Sequence, residues 1–207
     1  MQELYTQFRF APVLRNASNM HITQWFGENI ASFYKEMGLL GHPGLDMVAS
    51  TGIPCYAAFD GTISKVYSNP KANTREGEYV WLDSDKFEYE GKRAFLRVVY
   101  YHLDSSAKVQ GERVKKGDRV ALTDNTGVYT TGAHLHFELI LFIEIQGAFK
   151  MAFLNNGFHG RIDPYPFFER QDFYNPRPIE YQAGELVKMA DNPKVYYVGT
   201  NGLVWIE

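Results

Sequence analysis

The clearest hydrophobic pattern in the chain is an alternation. In HLHFELILFIEI, which begins at His134, residues Leu135, Phe137, Leu139, Leu141, Ile143 and Ile145 share one face of an extended chain, and all are apolar. His134, His136, Glu138, Ile140, Phe142 and Glu144 share the other. A two-residue period rich in β-branched and aromatic residues predicts a β-strand anchored in a core by its apolar face. The opposite face is then held rigidly. His134 and His136 point the same way, with Cα atoms about 6.6 Å apart at roughly 3.3 Å per residue. That is close enough for both to serve one metal-centred site.

From Gly41 onward the rest of the pattern is also β. Turn signals recur at Gly44, Gly52-Ile53-Pro54, Asp60-Gly61, Asn69-Pro70, Gly91, Gly111, Gly117-Asp118, Gly127 and Gly132. Apolar runs lie between them at 55–59, 62–67, 79–82, 94–103 and 119–123. Many short strands with frequent turns predict a mainly β, antiparallel sandwich or open barrel. The polar stretches 68–78 and 83–92 are expected as exposed loops or a hairpin tip. Residues 1–20 are expected to be irregular, with strand character around 7–10, and a short strand follows at 21–26. One short N-terminal helix is expected over 29–37, with Asn29 as N-cap and Gly38 as stop. Residues 146–161 form an excursion after the central strand, with His159 at the surface. The composition shifts after Tyr174. Asn175-Pro176-Arg177-Pro178 is a linker pattern, and a β-hairpin is expected over 195–206. The expected division is a main domain over 1–173 and an appendage over 174–207, possible as the start of a longer segment.

Composition narrows the functional classes. The chain has 207 residues, 45% of them hydrophobic, which suits a folded globule. A net charge of −3 with no long basic run gives no support for nucleic-acid binding. The 15% aromatic content is expected to sit in the core. The single cysteine, Cys55, lies in an apolar run and is expected as a buried thiol. The first twenty residues lack the apolar stretch of a signal peptide, and no apolar run is long enough for a membrane span. Asn16-Ala17-Ser18 matches a glycosylation sequon.

Two more histidine motifs carry candidate chemistry. Gly41-His42-Pro43-Gly44-Leu45-Asp46 places an imidazole and a carboxylate four residues apart. Extended, they would be about 13 Å apart; a turn at Pro43-Gly44 brings them together, and zinc accepts both ligand types. Val98-Val99-Tyr100-Tyr101-His102-Leu103-Asp104 ends an aromatic strand, and alternation puts His102 on the face opposite Tyr101 and Leu103. Glu138 shares the face of the histidine pair and Asp104 follows His102. Both are expected as solvated carboxylates, with orientation of an imidazole as the second reading.

Taken together, GHPGLD, YYHLD and NTGVYTTGAHLHFEL resemble the M23 family of zinc metallopeptidases, the lysostaphin-like peptidoglycan endopeptidases. The family's His-x-x-x-Asp, its later Tyr-x-His-Leu-type histidine and its Thr-Gly-x-His-Leu-His strand occur here in order. GIPCYAAFDGTISKV, GERVKKGDRVALTDNTG and IDPYPFF resemble its connecting segments, with Asp163 where the family has Asn and Ala133 where it commonly has Pro. The resemblance covers about residues 21–168. It implies a lysostaphin-like β fold, and a zinc ion (Zn2+) on His42, Asp46 and His136 with water in the fourth position. His102 and His134 would be catalytic and off the metal; residues 68–92, longer than the family's usual segment, are expected to wall the groove and alter substrate choice. The implied activity is hydrolysis of peptide cross-links in bacterial peptidoglycan at the cell wall, by a phage lysin or by a wall enzyme with a trimmed N-terminus. The alternative it carries is a non-catalytic binding or structural module.

Overall fold

The computed structural model describes residues 2–15, 20–29, 31–69, 74–128 and 130–177, and the backbone of strands at 186–188, 195–199 and 202–206. The sequon at 16–18 and Pro178 lie outside the described residues. The chain divides into two compact units, Met1–Pro176 and Arg177–Glu207.

The first unit contains, in order, α1 (Gln2–Gln7), β1 (Ile22–Gln24), α2 (Phe33–Glu36), β2 (Leu45–Val48), β3 (Pro54–Tyr56), β4 (Gly61–Tyr67) and β5 (Glu78–Ser84). There follow β6 (Phe87–Tyr89), β7 (Lys92–Ser106), β8 (Arg113–Val114), β9 (Arg119–Thr123), β10 (His134–Ile145), β11 (Ala148–Met151) and β12 (Arg161–Ile162), then two 3-10 turns at Tyr165–Phe167 and Arg170–Asp172. The strands form a twelve-stranded sheet whose main path runs β1-β2-β10-β7-β5-β4-β8. Its strand pairs are antiparallel. The fold is therefore mainly β with short helices, the class the hydrophobic pattern predicts.

The central strand is β10. Leu135, Phe137, Leu139 and Leu141 are fully buried, and they join Val98, Tyr100, Val80, Leu82, Leu45, Met47 and Phe167 in one core. Each large apolar side chain so buried contributes roughly 1.5–3 kcal/mol. The Tyr100 hydroxyl donates to Tyr56 O (2.9 Å) and accepts from Ala58 N (3.1 Å), so the one polar atom of that ring is satisfied inside the core. Cys55 is buried, as its apolar run predicts.

Two local expectations are corrected. Residues 2–7 form a helix, because Leu4 is fully buried and Tyr5 packs edge-on against Phe167 at 5.0 Å. Helix α2 begins a turn later than expected, after Ser32 rather than Asn29. Gly27 N donates to His42 O and His42 N to Glu28 O, both at 2.8 Å, which pins the neck of this excursion in non-helical backbone. Of the two readings offered for residues 83–92, the hairpin holds: β6 pairs with β7 around Glu90 (φ 50°) and Gly91 (φ 71°), a turn whose twist suits antiparallel strands.

At its end the first unit is pinned beyond Phe173. Tyr174 N donates to Met20 O (2.8 Å), and the Asn175 amide pairs with both N and O of Ile22 at 2.9 Å. The second unit is a three-stranded antiparallel sheet of β13 (Leu186–Lys188), β14 (Val195–Gly199) and β15 (Gly202–Ile206). It contains the expected hairpin and one strand more. Among the described residues no helix is long and apolar enough to cross a membrane.

Candidate metal centre

The pairing of β2 with β10 sets Asp46 directly opposite His136. His42 arrives from the turn that leads into β2. Gly44 lets that turn sit against β10: a Cβ there would lie 2.4 Å from Phe137 O and 3.1 Å from His136 Cε1. The result is a triangle of donor atoms. His136 Nδ1 is 2.7 Å from Asp46 Oδ1, His42 Nε2 is 2.9 Å from His136 Nδ1, and His42 Nε2 is 3.1 Å from Asp46 Oδ1. Zinc bonds of 2.0–2.1 Å in tetrahedral geometry set donors about 3.3 Å apart, so the triangle accepts the ion by opening a few tenths of an ångström.

Hydrogen bonds behind the rings select the atoms that face inward. His42 Nδ1 lies 3.2 Å from Trp25 O, an acceptor only, so Nδ1 carries the proton and Nε2 the lone pair. His136 Nε2 donates to Glu138 Oε1 at 3.3 Å, which leaves Nδ1 for the centre. Glu138 is thus not the solvated carboxylate expected from the pattern. It is buried, and its other oxygen accepts from Arg161 Nε at 2.9 Å. Asp104 is exposed and bonds only locally, to Ser105.

His102 and His134 stand beside the triangle, with ring centroids 4.8 Å apart. His134 Nδ1 donates to Gly132 O (2.8 Å) and His102 Nδ1 to Thr126 O (2.7 Å), so each keeps an Nε2 lone pair. His134 Nε2 is 3.6 Å from Asp46 Oδ1. His102 reaches the pocket by a route that alternation misses. Tyr101 opposes His136 in the β7–β10 register and already faces the pocket, so regular pleating would turn His102 toward the core. Instead the backbone at His102 is left-handed, with φ 59°, and the register shifts. Tyr101 and His102 therefore both line the pocket.

The electrostatics call for a positive charge. Burial pushes the Asp46 carboxyl up, yet the neighbouring imidazoles of His136 and His42 hold it well below the usual carboxylate range. Burial opposes charge on His136, but Asp46 and Glu138 raise it to about 9. Without a metal, a proton on His136 answers two carboxylates; uptake of a metal releases it. His102 differs. Burial, then the neighbouring His136 and His134, lower it to about 4, so it is a neutral base at pH 7.

All five residues singled out from the sequence, His42, Asp46, His102, His134 and His136, line one pocket. Arg75 and Glu76, from the polar stretch 68–78, form part of its wall, as do Phe33, Tyr34 and Met37 of the α2 excursion. His159 is exposed, as expected, but lies on the pocket rim. Arg161, Thr126 and Trp25 gave no signal in the sequence; each acts through pairing or a carbonyl that local periodicity does not encode.

The model of Peptidase family M23 matches residues 40–146, and the chain belongs to that family. It is 43% identical over 98 residues to an uncharacterized metalloprotease of Haemophilus influenzae, covering 47% of this chain and 18% of that protein. It is 34% identical over 100 residues to the peptidoglycan DD-endopeptidase ShyA of Vibrio cholerae, covering 48% and 20%. The matched stretch thus spans about a fifth of the length of these relatives. Among solved structures, a zinc-containing peptidase from Vibrio cholerae superposes with TM-score 0.51 at 25% identity, over 70% of this chain and 39% of that one.

Proposed function

We propose that this chain is a zinc-dependent endopeptidase that hydrolyses peptide cross-links of bacterial peptidoglycan at the cell wall. The observation that supports it most is the convergence of His42 Nε2, Asp46 Oδ1 and His136 Nδ1 with both imidazoles fixed in the ligating tautomer. The relative ShyA is a peptidoglycan DD-endopeptidase, which points to the same substrate class. His42, Asp46 and His136 hold the ion. Zinc bound there supplies Lewis acidity, which polarises a peptide carbonyl and lowers the pKa of water toward ~7. His102 and His134 take up the proton of the attacking water at Nε2 and deliver it to the departing amine. Their Nδ1–H bonds to carbonyls keep those lone pairs aimed into the pocket while the substrate is present.

The test uses the purified full chain and isolated sacculi. Cross-linked muropeptides are expected to shorten, as read by mass spectrometry. A strong chelator is expected to stop the reaction, and added zinc to restore it. A protein that binds sacculi and zinc but cuts nothing would replace this reading with that of a binding module.

A further inference from the structure

We infer that Glu138 and Arg161 are positioning residues for His136 that set the metal affinity of the centre, an inference that rests on the zinc reading above. Glu138 is only 4% exposed. A buried carboxylate is costly unless its oxygens are paired. One oxygen accepts from His136 Nε2 and the other from Arg161 Nε. Arg161 is supplied from far along the chain. It lies on β12, opposite Ile140 of β10, outside the stretch matched by the family model. It is itself held in place, because Nη1 donates to His159 O at 3.1 Å, and its charge interacts with the neighbouring Tyr101 hydroxyl. The Tyr101 ring lies 5.5 Å from that of His136. His136 is therefore gripped by Asp46, Glu138 and Tyr101 together.

The consequence is a choice of atom. A ring turned over would present Nε2 to His42 and Asp46. The Glu138 carboxylate holds the Nε2–H outward, so Nδ1 ligates. A carboxylate acceptor behind a ligating imidazole also makes it a better donor, and losing such a partner typically costs 10–100-fold in metal affinity.

The experiment measures zinc affinity of the full chain by competition with a chromophoric chelator, for wild type, Glu138→Gln, Glu138→Ala, Arg161→Met and the Glu138→Ala/Arg161→Met double variant. Glu138→Ala is expected to bind about 10–100-fold more weakly. Glu138→Gln, whose amide oxygen still accepts from Nε2, should lose less. Arg161→Met should weaken binding alone but add nothing to Glu138→Ala, because it acts through that carboxylate. Imidazole NMR of the metal-free proteins gives a readout independent of zinc: the hydrogen-bonded Nε2 proton of His136 should vanish in Glu138→Ala and persist in Glu138→Gln. Equal zinc affinity in folded Glu138→Ala, or an Arg161→Met loss undiminished in that background, overturns the inference. If wild type takes up no zinc, the zinc reading fails by itself. The His136 proton then decides the positioning role, and its persistence in Glu138→Ala overturns it.

Discussion

Strands β10 and β7 lie side by side and deliver histidines to one pocket by opposite means. β10 is regular: its pleat sends His134 and His136 outward and Leu135 and Phe137 into the core. β7 breaks its own pleat, so that Tyr101 and His102, adjacent in sequence, face the same pocket. A regular strand fixes the spacing of two rings by its period. A broken strand places one ring where no period could, at the cost of a strained residue. The two proposed roles follow this division in part: the ligand pair Asp46–His136 sits on regular β pairing, and His102 sits on the irregularity.

The largest expected effect lies at the triangle. Replacing His136 or Asp46 by Ala should abolish both zinc content and cleavage, as read by metal analysis and muropeptide assay on the same sample. Zinc retained at full stoichiometry would remove that residue from the ligand set. Next come the off-metal rings. His102→Ala and His134→Ala should keep zinc while turnover falls by ~10²–10⁴-fold, the range of general acid–base groups. If His134→Ala empties the site and His136→Ala does not, the roles within the pair are exchanged. The core face of β10 predicts a stability effect: Phe137→Ala should lower unfolding free energy by about 3–5 kcal/mol in urea titrations.

A smaller effect separates the two strands most directly. At His102 the left-handed backbone suits glycine, so His102→Gly should be more stable than His102→Ala by about 1 kcal/mol. At His134, in a regular strand, His134→Gly should be less stable than His134→Ala by roughly 0.5–1 kcal/mol. The same sign at both positions would mean that the irregularity at His102 carries no strain. The smallest expected effect is that of removing the tail. We propose that residues beyond Pro176 stand outside the catalytic unit, so a truncation there should leave zinc content and cleavage of a soluble cross-linked peptide unchanged. A cut after Glu169 would not test this cleanly, because Phe173 is buried and Asn175 is bonded to Ile22.

How much of this was legible in the chain depends on range. The period of β10 revealed its core face and its histidine pair. The Pro43-Gly44 turn made His42 and Asp46 neighbours. His102 was found as a motif, but its direction was not, because a single left-handed residue reverses the parity of everything beyond it. The period puts Glu138 on the correct face but does not reveal its buried environment. Its buried oxygen is paired by Arg161, and the strand pairing that brings Arg161 there joins residues whose proximity no local pattern encodes. Helix α2 starts late for a similar reason: the bonds between residues 27–28 and His42 override the capping preference of Asn29.

Gly44 carries a consequence for anyone reading variation in this chain. Its requirement is one of room, not of backbone torsion, since the space of a Cβ is already taken by Phe137 O and the edge of the His136 ring. A saturation scan scored by zinc retention should therefore show position 44 nearly as intolerant as the proposed ligands on either side. Asparagine, which often rescues glycine in turns, should fare no better than alanine there. A residue with no functional group would score like a metal ligand, because the smallest addition to it wedges apart the two strands that bring Asp46 and His136 together.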